Sequence, residues 1–352
     1  MIFQSQKKTD IIRFLELAEV IPVVDVRSPS EFNSGHIPRS INLPLFDDGE
    51  RKAVGTTFNK RGRIEAIIEG LRLSGPAMHI KLEQALGIAC DNRLLVHCWR
   101  GGMRSETMAW LFSLAGIETT ILEGGYKSYR HYILEKLSEE KKMIVLGGLT
   151  GSGKTEILHH LKDKGNQVID LEGLACHKGS AFGSLGQPQQ PTSEYFANLL
   201  YDEWKSIDDS KPIWIEDESH NIGNVFMPDE FYNNMQRAVL IVLTMDVETR
   251  LPRLIDEYSK YPPGDLVKAI GKISKRLGGD NAAEAVNYIL KEDFRNAIRI
   301  ILKYYDKTYY YGIRKKEGRN IIYVDCDTDD AGINAGRILE AAGSLKGFSD
   351  YF

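Results

Sequence analysis

The sequence predicts an α/β protein built from two consecutive parallel-sheet domains, and three observations carry that expectation. Short β-branched or apolar runs alternate with helix-period segments in both halves of the chain, the pattern of buried parallel strands joined by helices. Two of these runs each lead into a glycine-bearing loop and then a helix: His97-Cys98-Trp99-Arg100-Gly101-Gly102-Met103-Arg104-Ser105 and Gly148-Leu149-Thr150-Gly151-Ser152-Gly153-Lys154-Thr155. The 352 residues are enough for about two hydrophobic cores.

Taken in order, Val20 to Val26, Arg93 to His97 and Thr119 to Leu122 read as buried strands, with a helical pattern from Ser105 to Ala115. They define a first domain over residues 1–135, interrupted by an insertion at about 45–92. The insertion carries Arg51, Lys52, Lys60, Arg61, Arg63 and Arg72 and has helical periodicity from Ile64 to Leu71. Leu134 to Lys142, rich in Glu and Lys, reads as a linking helix. Met143 to Leu146 then opens a second domain over residues 136–352, with strands at Val168 to Ile169, Ile213 to Ile215, Ala238 to Leu243 and Ile321 to Val324. Apolar positions from Val286 to Tyr305 recur at helical spacing and predict one long amphipathic helix in a helical C-terminal region.

Composition sets limits on function. With 42% hydrophobic and 27% charged residues, the chain is ordinary for globular protein. Its four cysteines, Cys90, Cys98, Cys176 and Cys326, contain no CxxC pair, so neither a disulfide framework nor a tightly bound structural metal is expected. Charges break every apolar run of the N-terminal segment and no stretch of about 18 apolar residues occurs, which predicts no signal peptide and no membrane span; with the unpaired cysteines this predicts a cytoplasmic protein. The net charge of -4 conceals segregation: Lys268 to Arg319 holds 13 Lys and Arg against 6 Asp and Glu. A local basic surface can bind a polyanion whatever the global sign.

The first loop surrounds a thiol with the means to ionise it. A strand-loop-helix aims backbone N–H groups and the positive helix end at Cys98, and Arg100 and Arg104 can stabilise an adjoining anion. His-Cys-x5-Arg-Ser also fits a cysteine phosphatase, so this loop alone does not separate phosphate hydrolysis from chalcogen transfer. The second loop is a P-loop in its required context. Gly148, Gly151, Ser152 and Gly153 let backbone amides surround phosphate oxygens, Lys154 reaches a terminal phosphate, and Thr155 can ligate Mg²⁺ with Asp217 as a candidate carboxylate behind it; a solvated acidic turn is the other reading of Asp217. Arg250 and Arg253 follow a strand and are candidate lid arginines on the same phosphates; surface arginines are the plainer alternative.

Basic residues crowd the C-terminal region at about 265–319. Lys291, Arg295, Arg299, Lys303 and Lys307 recur every four residues, and Lys272, Lys275 and Arg276 stand upstream. Such a ridge can follow an RNA backbone, with Tyr304, Tyr305, Tyr309, Tyr310 and Tyr311 stacking bases. A solvated basic face with tyrosines packed beneath it is the other reading.

The run Asp25-Val26-Arg27-Ser28-Pro29-Ser30-Glu31-Phe32-Asn33-Ser34-Gly35-His36-Ile37-Pro38 and the turn Glu123-Gly124-Gly125 resemble the signatures of the rhodanese family. That resemblance implies a persulfide or selenium analogue on Cys98, with Asp25 and His36 structural. The whole chain, through His97 to Ser105, Gly148 to Thr155, Leu171 to Gly183, Glu216 to Ser219, Ile273 to Gly279 and Tyr304 to Asp306, is similar to the bacterial tRNA 2-selenouridine synthase family. Cys176 and Lys178 stand where that family more usually has Asn and Arg. The family resemblance implies a rhodanese-like domain followed by a P-loop domain. It also implies exchange of sulfur for selenium in wobble 2-thiouridine of tRNA through an S-geranyl intermediate. Geranyl diphosphate and selenophosphate are the implied co-substrates, with a selenophosphate supplier as partner, no tightly bound cofactor and no DNA. The stretch Ile64 to Leu73 is the candidate lining for the geranyl chain. An ATP-dependent tRNA sulfurtransferase with a Cys98 persulfide, and a nucleotide-gated RNA-binding redox sensor, are the alternatives.

Overall fold

The computed structural model describes residues 7–316, 318–345, 347–348 and 351, and the chain divides into two units, Met1–Lys136 and Leu137–Phe352. In the first unit the strands are β1 (Lys7–Thr9), β2 (Val23–Asp25), β3 (Ile41–Asn42), β4 (Arg93–His97) and β5 (Glu118–Leu122). They form one sheet in the order β1-β5-β4-β2-β3, every pairing parallel. Val24, Val26, Leu94 and Val96 supply its core, and Met108 and Phe112 of the helix Met103–Ser113 cover it. β4 is interior to the sheet, so Cys98 leaves the carboxyl edge of a strand that is paired on both sides. The insertion folds into helices Asp48–Arg61, Arg63–Ser74 and Met78–Ile88.

The second unit holds β6 (Met143–Gly148), β7 (Gln167–Ile169), β8 (Ile213–Glu216), a small hairpin of β9 (Asn221–Ile222) and β10 (Val225–Phe226), then β11 (Val239–Thr244) and β12 (Ile321–Asp325). Its five-stranded sheet runs β12-β11-β6-β8-β7, again all parallel. The phosphate loop follows the central strand β6, the position at which open α/β sheets present ligand sites. Two cores result. One joins Ile144, Leu146, Trp214 and Ile241 to the helices Lys154–Asp163 and Ala331–Gly343. The other lies among the helices Val247–Tyr258, Pro263–Leu277, Gly279–Leu290 and Phe294–Arg314, around Leu251, Leu266, Ile270, Ile298 and Leu302.

Two helical expectations are corrected. The helix before the second unit is Gly125–Ser138, so it starts earlier than Leu134 and stops short of Lys142. The long helix expected from Val286 to Tyr305 is two helices, broken at Lys291–Asp293. Glu292 there has a left-handed backbone, φ 58°, and Asp293 caps the second helix by accepting from Asn296 N. Lys291 therefore closes one helix while Arg295, Arg299, Lys303 and Lys307 stand on the next, and the five do not share one ridge.

Candidate active site

Cys98 lies at the base of a loop whose shape its glycines dictate. Gly101 has φ 65°, and an added Cβ would stand 2.3 Å from the Leu122 carbonyl oxygen; Gly125 has φ 62°, and its Cβ would stand 2.3 Å from the Cys98 carbonyl oxygen. Only glycine allows so close an approach. It lets Tyr126 N donate to Cys98 O at 2.8 Å and Lys127 N to Trp99 O at 3.0 Å, which joins the turn at Glu123 to the Cys98 loop. The Cys98 side chain is buried, with Sγ 3.4 Å from Ser105 Oγ. Burial alone would raise the thiol. The Ser105 hydroxyl, the charge of Arg104 and the backbone N–H groups of Arg100 and Ser105 outweigh it and hold Cys98 below the ordinary thiol range.

The flanking arginines are held differently. Arg104 donates to both carboxylate oxygens of Glu31, at 2.6 and 3.2 Å, while Arg100 is exposed and faces Cys98 through its backbone. Beneath the loop, Asp25 and Arg27 form a fully buried pair at 2.6 Å. The Arg27 guanidinium lies 3.8 Å from the Tyr126 ring centroid and donates to Gly35 O at 2.7 Å. His36 bonds Phe32 O at 2.9 Å. Asp25 thus braces the end of β2, and His36 the end of the helix Pro29–Ser34.

In the second unit Gly151 and Gly153 have φ of 81° and 76°, and a Cβ on Gly153 would meet the Arg253 guanidinium at 2.8 Å. Lys154 Nζ donates to Gly148 O at 3.1 Å across the loop, and the Ser152 hydroxyl is buried inside it. Arg253 borders the loop and pairs with Glu156 at 2.8 Å. Arg250 is buried behind the loop: its Nη1 donates to Thr150 O at 2.9 Å and its guanidinium grips Asp306. It is a brace for the loop rather than an exposed lid residue.

Asp217 and Thr155 have different partners. The Asp217 carboxylate accepts from Lys316 Nζ at 2.7 Å and Tyr309 OH at 3.3 Å, with Arg319 at 3.6 Å. Thr155 Oγ1 instead donates to Glu172 Oε2 at 3.2 Å. Burial pushes the Glu172 and Glu218 carboxyls up; their mutual contact accompanies Lys154 nearby. Glu172 is the site residue that motif reading missed. Its pairing with Thr155 is tertiary, and its one signal was membership of the Leu171 to Gly183 stretch.

Lys272, Lys275 and Arg276 are exposed on Pro263–Leu277; Arg295, Arg299, Lys303 and Lys307 are exposed on Phe294–Arg314. Arg295 and Arg299 both pair with Glu248, at 3.0 and 2.6 Å. Tyr310 and Tyr311 are exposed, whereas Tyr305 OH accepts from Ala181 N at 3.1 Å and Tyr309 packs against Gly147. Among the described residues no helix is long and apolar enough to cross a membrane.

Residues 9–132 match the rhodanese-like domain family, and residues 141–263 match the family described as the tRNA 2-selenouridine synthase AAA domain. A tRNA 2-selenouridine synthase of Shewanella frigidimarina is 35% identical over 346 residues, spanning 88% of this chain and 93% of that one. One from Nitrosomonas europaea is 33% identical over 318 residues, spanning 78% and 80%. Among solved structures, a rhodanese-related protein of Thermoplasma volcanium aligns at 20% identity and TM-score 0.23, over 36% of this chain and 92% of that one. With both domain families in one chain, and relatives of this identity matched along most of its length, the chain belongs to the tRNA 2-selenouridine synthase family.

Proposed function

We propose that the chain replaces the C2 sulfur of wobble 2-thiouridine in tRNA with selenium, in two steps that use its two loops. The single observation that carries this reading is the pairing, in one polypeptide, of a buried thiol flanked by Ser105 and Arg104 with a glycine-bearing phosphate loop. In the first step the nucleoside sulfur attacks C1 of geranyl diphosphate; a C–S bond forms, the C–O bond breaks, and diphosphate leaves with the N3 proton lost to solvent. The amides of Gly148 to Thr155 and Lys154 receive the departing charge. Thr155 and Glu172 offer hard oxygen donors that fit Mg²⁺ beside a diphosphate, where it would neutralise the leaving group.

Alkylation turns the sulfur into a leaving group. The Cys98 thiolate then adds to C2 and expels geranylthiolate. Selenium of selenophosphate displaces Cys98, and water cleaves the remaining P–Se bond to release phosphate. Selenium enters at the oxidation level it keeps, so no oxidant or reductant is consumed. Arg100 and Arg104 stabilise the anionic donor, and Lys272, Lys275, Arg276, Lys291, Arg295, Arg299 and Lys303 contact tRNA phosphates.

The test is nucleoside mass spectrometry of 2-thiouridine tRNA incubated with geranyl diphosphate, with and without selenophosphate. Lys154→Ala is expected to abolish geranylation, and Cys98→Ala to geranylate while forming no selenouridine. An unchanged nucleoside profile in bound tRNA, or selenation that survives Cys98→Ala, overturns the scheme. ATP cleaved in step with turnover would favour the sulfurtransferase instead.

A further inference from the structure

Cys98 and Arg104 are separated by five residues, and Ser105 follows the arginine. Chalcogen transfer alone calls for the thiol; the rest of the loop is built for an oxyanion. Among the described residues, no backbone N–H from Trp99 to Ser105 donates to a backbone carbonyl. Those of Met103, Arg104 and Ser105 open the helix Met103–Ser113, where no intrahelical acceptor exists for them. The N–H groups of Arg100 and Ser105 both reach the Cys98 sulfur, so the loop curls around it. Converging N–H groups at a helix start cradle a tetrahedral anion such as a phosphoryl group.

Arg104 completes the cradle. Its Nη1 and Nη2 donate to the two Glu31 oxygens at 2.6 and 3.2 Å, and among the described residues the guanidinium has no other hydrogen-bond partner. Glu31 thereby fixes the plane of the guanidinium and leaves its other N–H groups to phosphoryl oxygens. Burial would raise the Glu31 carboxyl, but Arg104 and the Ser28 N–H outweigh it and keep Glu31 ionised. Glu31 therefore has no proton to give a departing group, and the loop suits phosphorus esters whose leaving group departs as a stable anion. The Ser105 hydroxyl, 3.4 Å from Sγ, stabilises the sulfur as a thiolate, both before it attacks and when it is expelled.

We propose that the Cys98 loop is a phosphoryl-transfer centre that works through a phosphocysteine. The Cys98 thiolate attacks phosphorus; an S–P bond forms, the bond from phosphorus to the leaving atom breaks, and that atom keeps the electron pair. Water then attacks the phosphocysteine, the S–P bond breaks, the thiolate returns, and phosphate leaves carrying both hydrogens of the water. The identity of the ester rests on the function proposed above: it is the Se-phosphoryl nucleoside formed when selenophosphate displaces Cys98 from C2, an event that frees the thiolate beside it. The P–Se electron pair stays on selenium as the delocalised 2-selenouridine anion, which needs no acid to depart. The water of the last step thus takes the phosphoryl group from Cys98.

The experiment uses the full chain, with para-nitrophenyl phosphate as an ester of good leaving group and glycerol phosphate as one of poor leaving group. Phosphate release is measured, and acid-quenched samples are searched by peptide mass spectrometry for a phosphoryl adduct on Cys98. Wild type is expected to cleave the aryl ester at least about a hundredfold faster than Cys98→Ser and to leave glycerol phosphate nearly untouched. Cys90→Ser is expected to keep the wild-type rate. Ser105→Ala makes sulfur the poorer leaving group in the second step, so the adduct is expected to accumulate in that variant, both with the aryl ester and during selenation of S-geranyl RNA by selenophosphate. Aryl ester cleavage that survives Cys98→Ser, or an unmodified Cys98 in both wild type and Ser105→Ala, overturns the proposal. Selenouridine formed without any adduct sinks the phosphocysteine and leaves the selenium exchange intact. An adduct from the aryl ester in a protein that makes no selenouridine does the reverse.

Discussion

Arg250 and Asp306 form a two-pronged ion pair, Nη1 to Oδ1 at 3.0 Å and Nη2 to Oδ2 at 2.6 Å, and the same Nη1 donates to Thr150 O in the phosphate loop. One guanidinium thereby couples the loop to the helix Phe294–Arg314, which bears part of the basic surface. The Arg250 side chain is 1% exposed and Asp306 19%. Removing the carboxylate strands a buried charge, so Asp306→Ala should lower unfolding free energy by about 3 kcal/mol, the lower end for breaking a buried pair because Asp306 keeps some solvent. Urea denaturation checks this. Arg250→Lys should not restore stability, since an ammonium cannot span both carboxylate oxygens and Thr150 O.

The thiol chemistry has its own pH signature. Cys98 ionises below the ordinary thiol value because Ser105, Arg104 and two backbone amides overcome burial. The rate of Cys98 alkylation by iodoacetamide, followed by peptide mass spectrometry, should rise with pH to a plateau whose midpoint lies below the ordinary thiol value. Ser105→Ala removes a hydrogen bond to the thiolate and should move the Cys98 midpoint upward. A midpoint that stays put would mean that Ser105 serves the helix start alone, through its bond to Gly102 O at 2.9 Å.

Glu216 is fully buried at the end of β8; its Oε2 accepts from Leu171 N at 2.8 Å and its Oε1 has no partner. Burial, with Asp170 and Glu172 nearby, raises its carboxyl well above the usual range. A carboxyl raised on folding binds its proton more tightly in the native state. Its contribution is therefore full below the unfolded carboxylate value and is lost as pH rises through the raised one. Glu216→Gln keeps the acceptor for Leu171 and carries no charge. It should raise stability at neutral pH by on the order of 1 kcal/mol and flatten the fall of Tm between acidic and neutral pH. A steeper pH dependence in the variant would refute this account.

Much of the fold was legible because its central strands are buried on both faces. β4, β6, β8 and β11 read as nearly unbroken apolar runs. β1 was invisible for the opposite reason: Lys7-Lys8-Thr9 is an edge strand with two exposed lysines, held by pairing with β5. The break at Lys291–Asp293 escaped notice because Glu292 takes a left-handed conformation without being glycine, and the apolar period resumes after it. Asp293 was the readable signal, an acceptor poised as an N-cap. At the site, both loops announced themselves through residues close in sequence. Thr155 with Glu172, and Arg250 with Asp306, are separated by 17 and 56 positions, and only packing reveals them.

The basic surface yields the last prediction. Glu248 accepts from both Arg295 and Arg299, yet all three side chains are between 43% and 60% exposed. Exposed pairs contribute about 0–1 kcal/mol, so Glu248→Gln should leave stability almost unchanged. The same substitution removes the carboxylate that competes with phosphate for two guanidinium groups. If Arg295 and Arg299 contact the tRNA backbone, affinity should rise and the slope of log K against log salt should steepen by about 1–2, the counterion release expected for one or two added phosphate contacts. Lys303→Ala, on the same helix, should change the slope by about 1 in the other direction. An unchanged salt slope in both variants would return this helix face to the role of a solvated basic surface, with the tRNA bound elsewhere.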